Sequence, residues 1–319
     1  TQYTSSAASD VYKRQHAQSS VYPGRFQMDV ESTAKGGPMS SLEVLFNLDA
    51  VNTVALLAVV FIGLPHGAMD GALAVHFGWM KRPSSALAFL VAYVGLAAVV
   101  VWLWSVSPVL SFVAFLAISV YHFGRGDSSS TQSGRDTVES LARGGLVIGG
   151  ISHFHPEEAD AVFKALVGPT TSGVWLFLDA VLVITALCLV ESMLFKQRRE
   201  RLQFLTEMGF LSVVFLTLPP LAGFAVYFCL VHSVRHFSAM GEVLRATVST
   251  LRITQTTLVF SLLSWAVGLL VFAQRTASVG LEPALLQVVF IGLAALTVPH
   301  MLLIDGWLNK IESSPSTDA

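Results

Sequence analysis

Two histidines lie four residues apart in the stretch YFCLVHSVRHF, residues 227–237. On a helix His232 and His236 would share one face, with their Cβ atoms about 5–6 Å apart, so both imidazoles could bind one metal ion. The flanking residues are apolar, and an ionisable group at membrane depth is costly and usually functional. The pair therefore predicts half of a metal coordination shell inside a hydrophobic helix.

The chain as a whole is apolar. Of its 319 residues, 53% are hydrophobic and 13% are charged, whereas soluble domains carry about 25% charged residues. The net charge of −2 and the lack of a basic block in the sequence argue against nucleic acid as a partner. Cys188 and Cys229 lie in apolar runs and match no metal-ligand spacing. We therefore predict an all-α, polytopic integral membrane bundle with lipid as its solvent.

Hydrophobic windows predict eight or nine transmembrane helices, each needing about 20 mostly apolar residues. Pro219 and Pro220 separate two of the windows, because a double proline cannot continue a hydrogen-bonded helix. The count is nine if the short, glycine-rich window 141–154 spans the membrane and eight if it does not. The windows are 45–64, 85–104, 107–123, 141–154, 173–195, 204–218, 221–237, 256–273 and 284–304.

Lysine and arginine collect in alternate connections of the nine-helix arrangement. Because such residues accumulate in cytoplasmic loops, this asymmetry predicts that the C-terminus lies in the cytoplasm and that the protein spans the inner (plasma) membrane.

The first 40 residues are polar and lack hydrophobic periodicity, so we expect them to be disordered. The natural start is expected at Met28 or Met39, with residues 1–27 outside the natural protein. The predicted division is a disordered segment 1–40, a single membrane-embedded catalytic domain 41–310 and a short cytoplasmic tail 311–319.

Three more histidines are predicted to reach the same depth as the HxxxH pair. His66 ends the first window, His122 ends the third, and His300 lies near the end of the ninth. These windows and the one carrying His232 and His236 run in the same direction, so five imidazoles converge near the cytoplasmic boundary. The alternative for any one of them is a neutral core histidine bonded to a carbonyl group.

An acidic residue follows most of these histidines within about one helical turn. Metal-bound histidines commonly donate their second ring N–H to a carboxylate, which fixes their orientation. These carboxylates are therefore predicted to orient the ligands, and Asp70 is placed to do so directly for His66. The alternative puts them at headgroup level beside arginines. They are Asp70, four residues after His66, Asp127, five after His122, and Asp305, five after His300.

Neutral imidazoles suit iron, copper, zinc or nickel, and ligand type alone does not choose among these metals. Spare coordination positions would admit a small reactant such as dioxygen. Apolar side chains would wall the cavity, so an organic substrate should be apolar and enter from the bilayer. The aromatic neighbours predicted to line it are Tyr121, Phe123, Tyr227, Phe228 and Phe237.

Four motifs resemble, in order and spacing, those of the Brp/Blh family of bacterial and archaeal β-carotene 15,15′-dioxygenases. The family motif has Leu where this chain has Met69, which is a conservative exchange. The resemblance covers residues from about 48 to 308. The motifs are PHGAMDG at 65–71, YHFGRGD at 121–127, HSVRHF at 232–237 and VPHMLLID at 298–305.

This resemblance implies oxidative cleavage of the central C15=C15′ double bond of β-carotene by dioxygen, giving two molecules of all-trans-retinal. It implies non-haem ferrous iron held by His66, His122, His232 and His236. His300 is then either a fifth ligand or a neighbour of the ligands. A microbial rhodopsin is the acceptor of retinal that the resemblance suggests.

Two other functions fit parts of the sequence. Di-iron membrane desaturases and hydroxylases carry several histidine boxes, whereas this chain has one HxxxH box and no adjacent pair of histidines. The other class is a bis-histidine haem carrier or an ion transporter with a histidine relay. Haem needs opposed histidines, one on each of two helices, whereas His232 and His236 share one turn. Metal analysis separates the three cases.

Removal of residues 1–27 is expected to leave retinal formation unchanged, because this polar segment supplies no predicted span or ligand. Chromatography of pigments from carotene-producing cells that express the shortened chain checks this. A loss of retinal would contradict the exclusion of these residues.

Overall fold

The structure, a computed structural model, describes residues 49–128, 133–304 and 306. Every secondary-structure element among them is helical. The predicted segment 1–40 and the tail 311–319 lie outside these ranges, and all the described residues belong to one compact unit.

Within the described ranges, thirteen α-helices are interrupted by three π-helical turns and two 3₁₀ segments. The π-helical turns are Val59–Gly63, Leu146–Gly150 and Tyr227–His232, and the 3₁₀ segments are Leu64–Met69 and Trp79–Lys81. The α-helices are α1 (Ala50–Ala58), α2 (Asp70–His76), α3 (Pro83–Val106), α4 (Pro108–Asp127), α5 (Ser133–Gly145), α6 (Ile151–Phe154), α7 (Pro156–Val167), α8 (Ser172–Phe195), α9 (Arg198–Thr217), α10 (Pro220–Val226), α11 (Ser233–Arg245), α12 (Thr250–Val279) and α13 (Leu281–Leu303).

Six helical stretches of the described chain are long and apolar enough to cross a bilayer, which indicates an integral membrane protein. The predicted count of eight or nine is not confirmed. The windows 141–154, 204–218 and 221–237 are helical, but they belong to interrupted or charge-bearing helices that are not among the six. The six are Ala50–His76, Pro83–Val106, Pro108–Asp127, Ser172–Phe195, Thr250–Val279 and Leu281–Leu303.

Two of the long helices face outward along almost their whole length. Within α3 the only buried residue is Trp104, and within α12 it is Ser261. Their large apolar side chains are exposed, for example Val94 at 62% and Leu269 at 67%. A contiguous apolar surface of this extent is unusual on a soluble monomer. The outer faces of α3 and α12 therefore have the composition of lipid-facing surface.

Glycines bring α4 and α5 into direct backbone contact. A Cβ atom on Gly124 would overlap the carbonyl oxygen of Ser140, and one on Gly144 would overlap the carbonyl oxygen of Val120. Small residues allow this close approach between membrane helices, whose association relies on packing rather than on the hydrophobic effect. We call these four residues the glycine seam.

Helix α7 is tied to the start of α8 through one carboxylate. Asp160 Oδ1 accepts hydrogen bonds from Thr171 Oγ1 at 2.6 Å and from Trp175 Nε1 at 2.8 Å. Lys164 bonds its other oxygen at 2.7 Å. Lys164 first, and then Thr171 and Trp175, lower the pKa of Asp160 to about 2, so the carboxylate stays ionised and holds α7 in place.

Gly144→Ala is expected to lower the stability of the folded protein by about 1–3 kcal/mol, because its methyl group forces α4 and α5 apart. Thermal unfolding of the detergent-solubilised protein measures the effect. The matched control is Gly209→Ala on α9, where a Cβ meets no atom within 4 Å. Equal losses in the two variants would contradict the role of the seam.

Candidate metal centre

Five histidines from four separate segments lie together in the interior. The nearest ligand atoms of His66, His122 and His232 all lie within 4.8 Å of one another. The ring centroid of His236 is 5.3 Å from that of His66, and the centroid of His300 is 5.0 Å from that of His236. We call these five residues the histidine cluster. The spacing of the helices and motifs predicted that the five imidazoles meet.

Irregular helix geometry carries His66 to the cluster. The π-helical turn Val59–Gly63 is followed at once by the 3₁₀ segment Leu64–Met69, in which Pro65 has no N–H to donate. Three carbonyl groups near this break receive hydrogen bonds from side-chain donors. Cys229 Sγ bonds the oxygen of Ala58 at 3.3 Å, Trp265 Nε1 that of Val60 at 3.0 Å, and His66 Nδ1 that of Gly63 at 2.5 Å.

The hydrogen bond of His66 assigns its tautomer. Because Nδ1–H donates to the carbonyl oxygen of Gly63, the Nε2 atom keeps the lone pair that a metal needs. The ring stands edge-on to those of His232 and Phe228, at centroid distances of 5.4 Å and 5.0 Å.

The HxxxH pair presents nitrogen atoms that have no hydrogen-bond partner within the described part of the chain. These atoms are Nδ1 and Nε2 of His232 and Nε2 of His236. Burying a polar atom without a partner costs free energy, and native proteins rarely leave one so. A transition-metal ion would take the lone-pair nitrogen of each ring, and neutral imidazoles are suitable donors for it. The residues present therefore fit a metal site.

Asp70 orients a histidine of the cluster, but not the predicted one. Its Oδ1 lies 2.8 Å from His300 Nδ1, and its Oδ2 accepts a hydrogen bond from Tyr93 at 2.8 Å. The predicted direct contact with His66 is wrong, because the intervening backbone is 3₁₀ rather than α-helical and Gly63 already occupies His66 Nδ1. The Asp70 carboxylate is fully buried, so His300 is held by a firm hydrogen bond.

Asp127 lies beside His232 rather than bonding His122, the histidine that precedes it. Its Oδ2 accepts a hydrogen bond from Tyr227 at 2.7 Å. Its Oδ1 is 3.9 Å from His232 Nδ1, too far for a hydrogen bond, and 3.5 Å from Arg235 Nη1. The carboxylate thus faces the cluster while Tyr227 and Arg235 hold it.

A chain of alternating charges leads away from Asp127 across four helices. Salt bridges join basic and acidic partners in turn, so each buried charge is compensated, as burial requires. We call this set the charged chain. Its links are Asp127–Arg235 at 3.5 Å, Arg235–Glu207 at 3.3 Å, Glu207–Arg143 at 2.5 Å, Arg143–Glu139 at 2.8 Å and Glu139–Lys196 at 2.6 Å.

Three of the five predicted aromatic neighbours reach the cluster. The rings of Phe123 and Phe228 are 4.8 Å and 6.0 Å from that of His232, and Tyr227 is fully buried beside them. Tyr121 and Phe237 do not reach it, since their side chains are 45% and 37% exposed. Each is adjacent in sequence to an inward-facing histidine, and one step along a helix turns the side chain by about 100°.

One predicted site residue and two further histidines are not part of the cluster. Asp305 falls outside the described residues. His76 bonds Thr247, and His153 bonds Asp179 at 3.0 Å, so these two histidines have partners of their own.

A small cavity of about 40 Å³ borders His66 and His300. Tyr93, Phe260 and Thr297 also line it, on α3, α12 and α13. None of these three residues carries a spacing signal in the sequence, and only the packing of the outer helices brings them to the cluster.

The family model for β-carotene 15,15′-dioxygenase matches residues 57–308, which include all five histidines of the cluster. The chain belongs to this family. A family relative, a β-carotene 15,15′-dioxygenase from uncultured marine bacterium 66A03, is 33% identical over 263 residues. That alignment covers 80% of this chain and 93% of the relative. No solved structure matches the chain. The family assignment made from the four motifs is confirmed.

Asp70→Asn is expected to lower metal affinity or turnover about 10–100-fold, because an amide has one acceptor oxygen whereas the carboxylate uses both of its oxygens, one for His300 and one for Tyr93. Metal content after purification and retinal formation are the measurements. The control is Asp179→Asn, which makes the same exchange at a 65% exposed carboxylate that bonds His153. Identical metal content and activity in both variants would contradict the orienting role of Asp70.

Proposed function

We propose that the protein cleaves the central C15=C15′ double bond of β-carotene with dioxygen, giving two molecules of all-trans-retinal at a non-haem ferrous iron. The observation that carries this proposal is the histidine cluster, buried inside a bundle whose sequence belongs to the β-carotene 15,15′-dioxygenase family.

His66, His122, His232 and His236 would hold the iron, with His300 as a fifth ligand or as a neighbour fixed by Asp70. Among the described residues, one group of three or more side chains could share a metal, which favours a single-iron enzyme over a di-iron desaturase. When bound, ferrous iron supplies the electron transfer that lets dioxygen react with a closed-shell hydrocarbon.

The remaining task of the protein is to position the polyene and exclude water. The reaction adds both atoms of dioxygen in sum, breaks one carbon–carbon double bond and forms two aldehyde groups, so no net proton enters or leaves. The two buried carboxylates beside the cluster are engaged as acceptors, Asp70 for Tyr93 and Asp127 for Tyr227. Phe123 and Phe228 wall the site with apolar surface, which favours a hydrocarbon over water.

The apolar substrate is proposed to enter from the lipid. The cavity beside His66 and His300 is bounded by α3 and α12, the two helices with lipid-facing composition. We place the site toward the cytoplasmic face of the inner membrane, with the C-terminus on that side. Arg143, Lys196 and Arg235 in the charged chain support this, because basic residues favour the cytoplasmic side. A microbial rhodopsin is the proposed acceptor of the retinal.

His236→Ala is expected to abolish retinal formation in carotene-producing cells, because one ligand is lost while the apolar surface of the helix remains. Chromatography of the pigments measures retinal and residual β-carotene. His153→Ala, at a histidine that bonds Asp179 outside the cluster, is the control and should retain activity. Full activity of His236→Ala would contradict its assignment as a ligand.

Metal removal tests the cofactor separately. A chelator should stop retinal formation by the purified protein, and ferrous iron but not zinc should restore it, because zinc has no redox chemistry. Elemental analysis should find one iron per chain. The absorption spectrum should show no haem band. Two irons, or haem, would contradict the proposal.

A further inference from the structure

A second cavity, of about 80 Å³, lies along one face of α4. It begins at Phe123, whose ring centroid is 4.8 Å from that of His232 in the histidine cluster. It extends back along the helix to Phe112. Phe123 follows Phe112 by eleven positions, so at 1.5 Å per residue the two lie about 16 Å apart along α4. The residues of α4 that line it are Phe112, Phe115, Leu116, Ser119 and Phe123.

Packed aromatic side chains close the far end of this cavity. The rings of Phe112 and Phe163 are 5.3 Å apart, and that of Trp104 lies 5.7 Å from Phe112. Trp104 Nε1 donates a hydrogen bond to the carbonyl oxygen of Leu166 at 3.1 Å. All four residues are buried, and together they form the closed end.

The walls offer nothing to a polar occupant. No ionisable side chain of the described residues lines the cavity. Its two hydroxyl groups are already used, since Ser119 donates to the carbonyl oxygen of Phe115 at 2.8 Å and Ser152 to that of Ile148 at 2.9 Å. A hydrocarbon would enter without leaving a polar group unsatisfied, whereas a polar occupant would lose its bonds to water.

The backbone beside this cavity is irregular in the same way as the backbone beside the metal centre. The π-helical turn Leu146–Gly150 supplies Val147 and Ile148 to its wall. Such turns occur frequently at functional sites. The other two described π-helical turns precede or contain a histidine of the cluster, whereas this one serves the cavity.

We propose that this cavity is a ruler that selects the double bond to be cleaved. The ring of one half of β-carotene rests against the closed end, and the central bond then lies at the histidine cluster. With ordinary bond lengths, half of β-carotene is on the order of 15 Å long, which matches the distance from Phe112 to Phe123 along α4. This inference rests on the proposed function.

Occupation requires the walls to adjust. The cavity is well below the roughly 300–1,000 Å³ of ordinary ligand pockets, so aromatic rings rotate aside as the polyene enters. The closed end, not the width of the cavity, then sets the depth of insertion.

Leu116→Trp tests the ruler by shortening the cavity. Leu116 lies four residues, or about 6 Å, from Phe112 along α4, so an indole there stops the ring short of the closed end. A double bond nearer that ring then faces the cluster. Retinal formation should fall about tenfold or more, as expected for a misplaced reactant. Two carbonyl fragments of unequal length should replace it.

The matched control is Leu110→Trp, the same exchange on the same helix at a side chain that is 69% exposed. It should give retinal at the rate of the unaltered protein. Iron content and yield from the membrane are measured for every variant. Phe112→Leu is a milder second variant that deepens the closed end, and it too should give unequal fragments.

The results separate this inference from the function on which it rests. If the unaltered protein makes no retinal, the proposed function itself fails. Unequal fragments from every cavity variant that retains iron support the ruler. If an iron-retaining Leu116→Trp or Phe112→Leu protein makes retinal as its sole product, or Leu116→Trp makes no product at all, the ruler is overturned.

Discussion

Imidazole nitrogen atoms buried among apolar side chains need partners, and this requirement governs the centre of the molecule. His66 satisfies Nδ1 through the carbonyl oxygen of Gly63, and His300 satisfies Nδ1 through Asp70. The nitrogen atoms of His232 and one of His236 find none among the described residues. A single cation shared by the cluster would give each of these rings a partner for its lone-pair nitrogen, which explains why four segments of the chain converge on one point.

Regular α-helices alone would not deliver these rings. The π-helical turns, the 3₁₀ segment and Pro65 rotate the chain just where His66 and His232 must point inward. Side-chain donors then bond carbonyl groups near these breaks, as Trp265 does for Val60. The charged chain compensates itself, because three acidic and three basic residues alternate along it. Carbonyl groups near the irregular turns and the buried charges thus both have partners close by.

Much of the site could be predicted from the sequence because single residues carry the signal. The i, i+4 spacing of His232 and His236 and the shared direction of the helices predict that the five imidazoles meet. Predictions of side-chain contacts that assumed regular α-helical geometry were less accurate. Asp70 was expected to bond His66, yet the 3₁₀ backbone turns it to His300. Tyr121 and Phe237 face outward, and Tyr93 lies beside the cluster only through helix packing, which local spacing does not encode.

The glycine seam has a consequence for how this protein can diverge. Positions 124 and 144 admit no side chain larger than a hydrogen atom, whereas the outer faces of α3 and α12 accept almost any apolar residue. Lineages adapting to thicker or thinner bilayers are free to remodel those outer helices. The pairing of α4 with α5 must stay as it is, because His122 is two residues from Gly124 on the same helix. Substitution rates along the chain should therefore be markedly uneven.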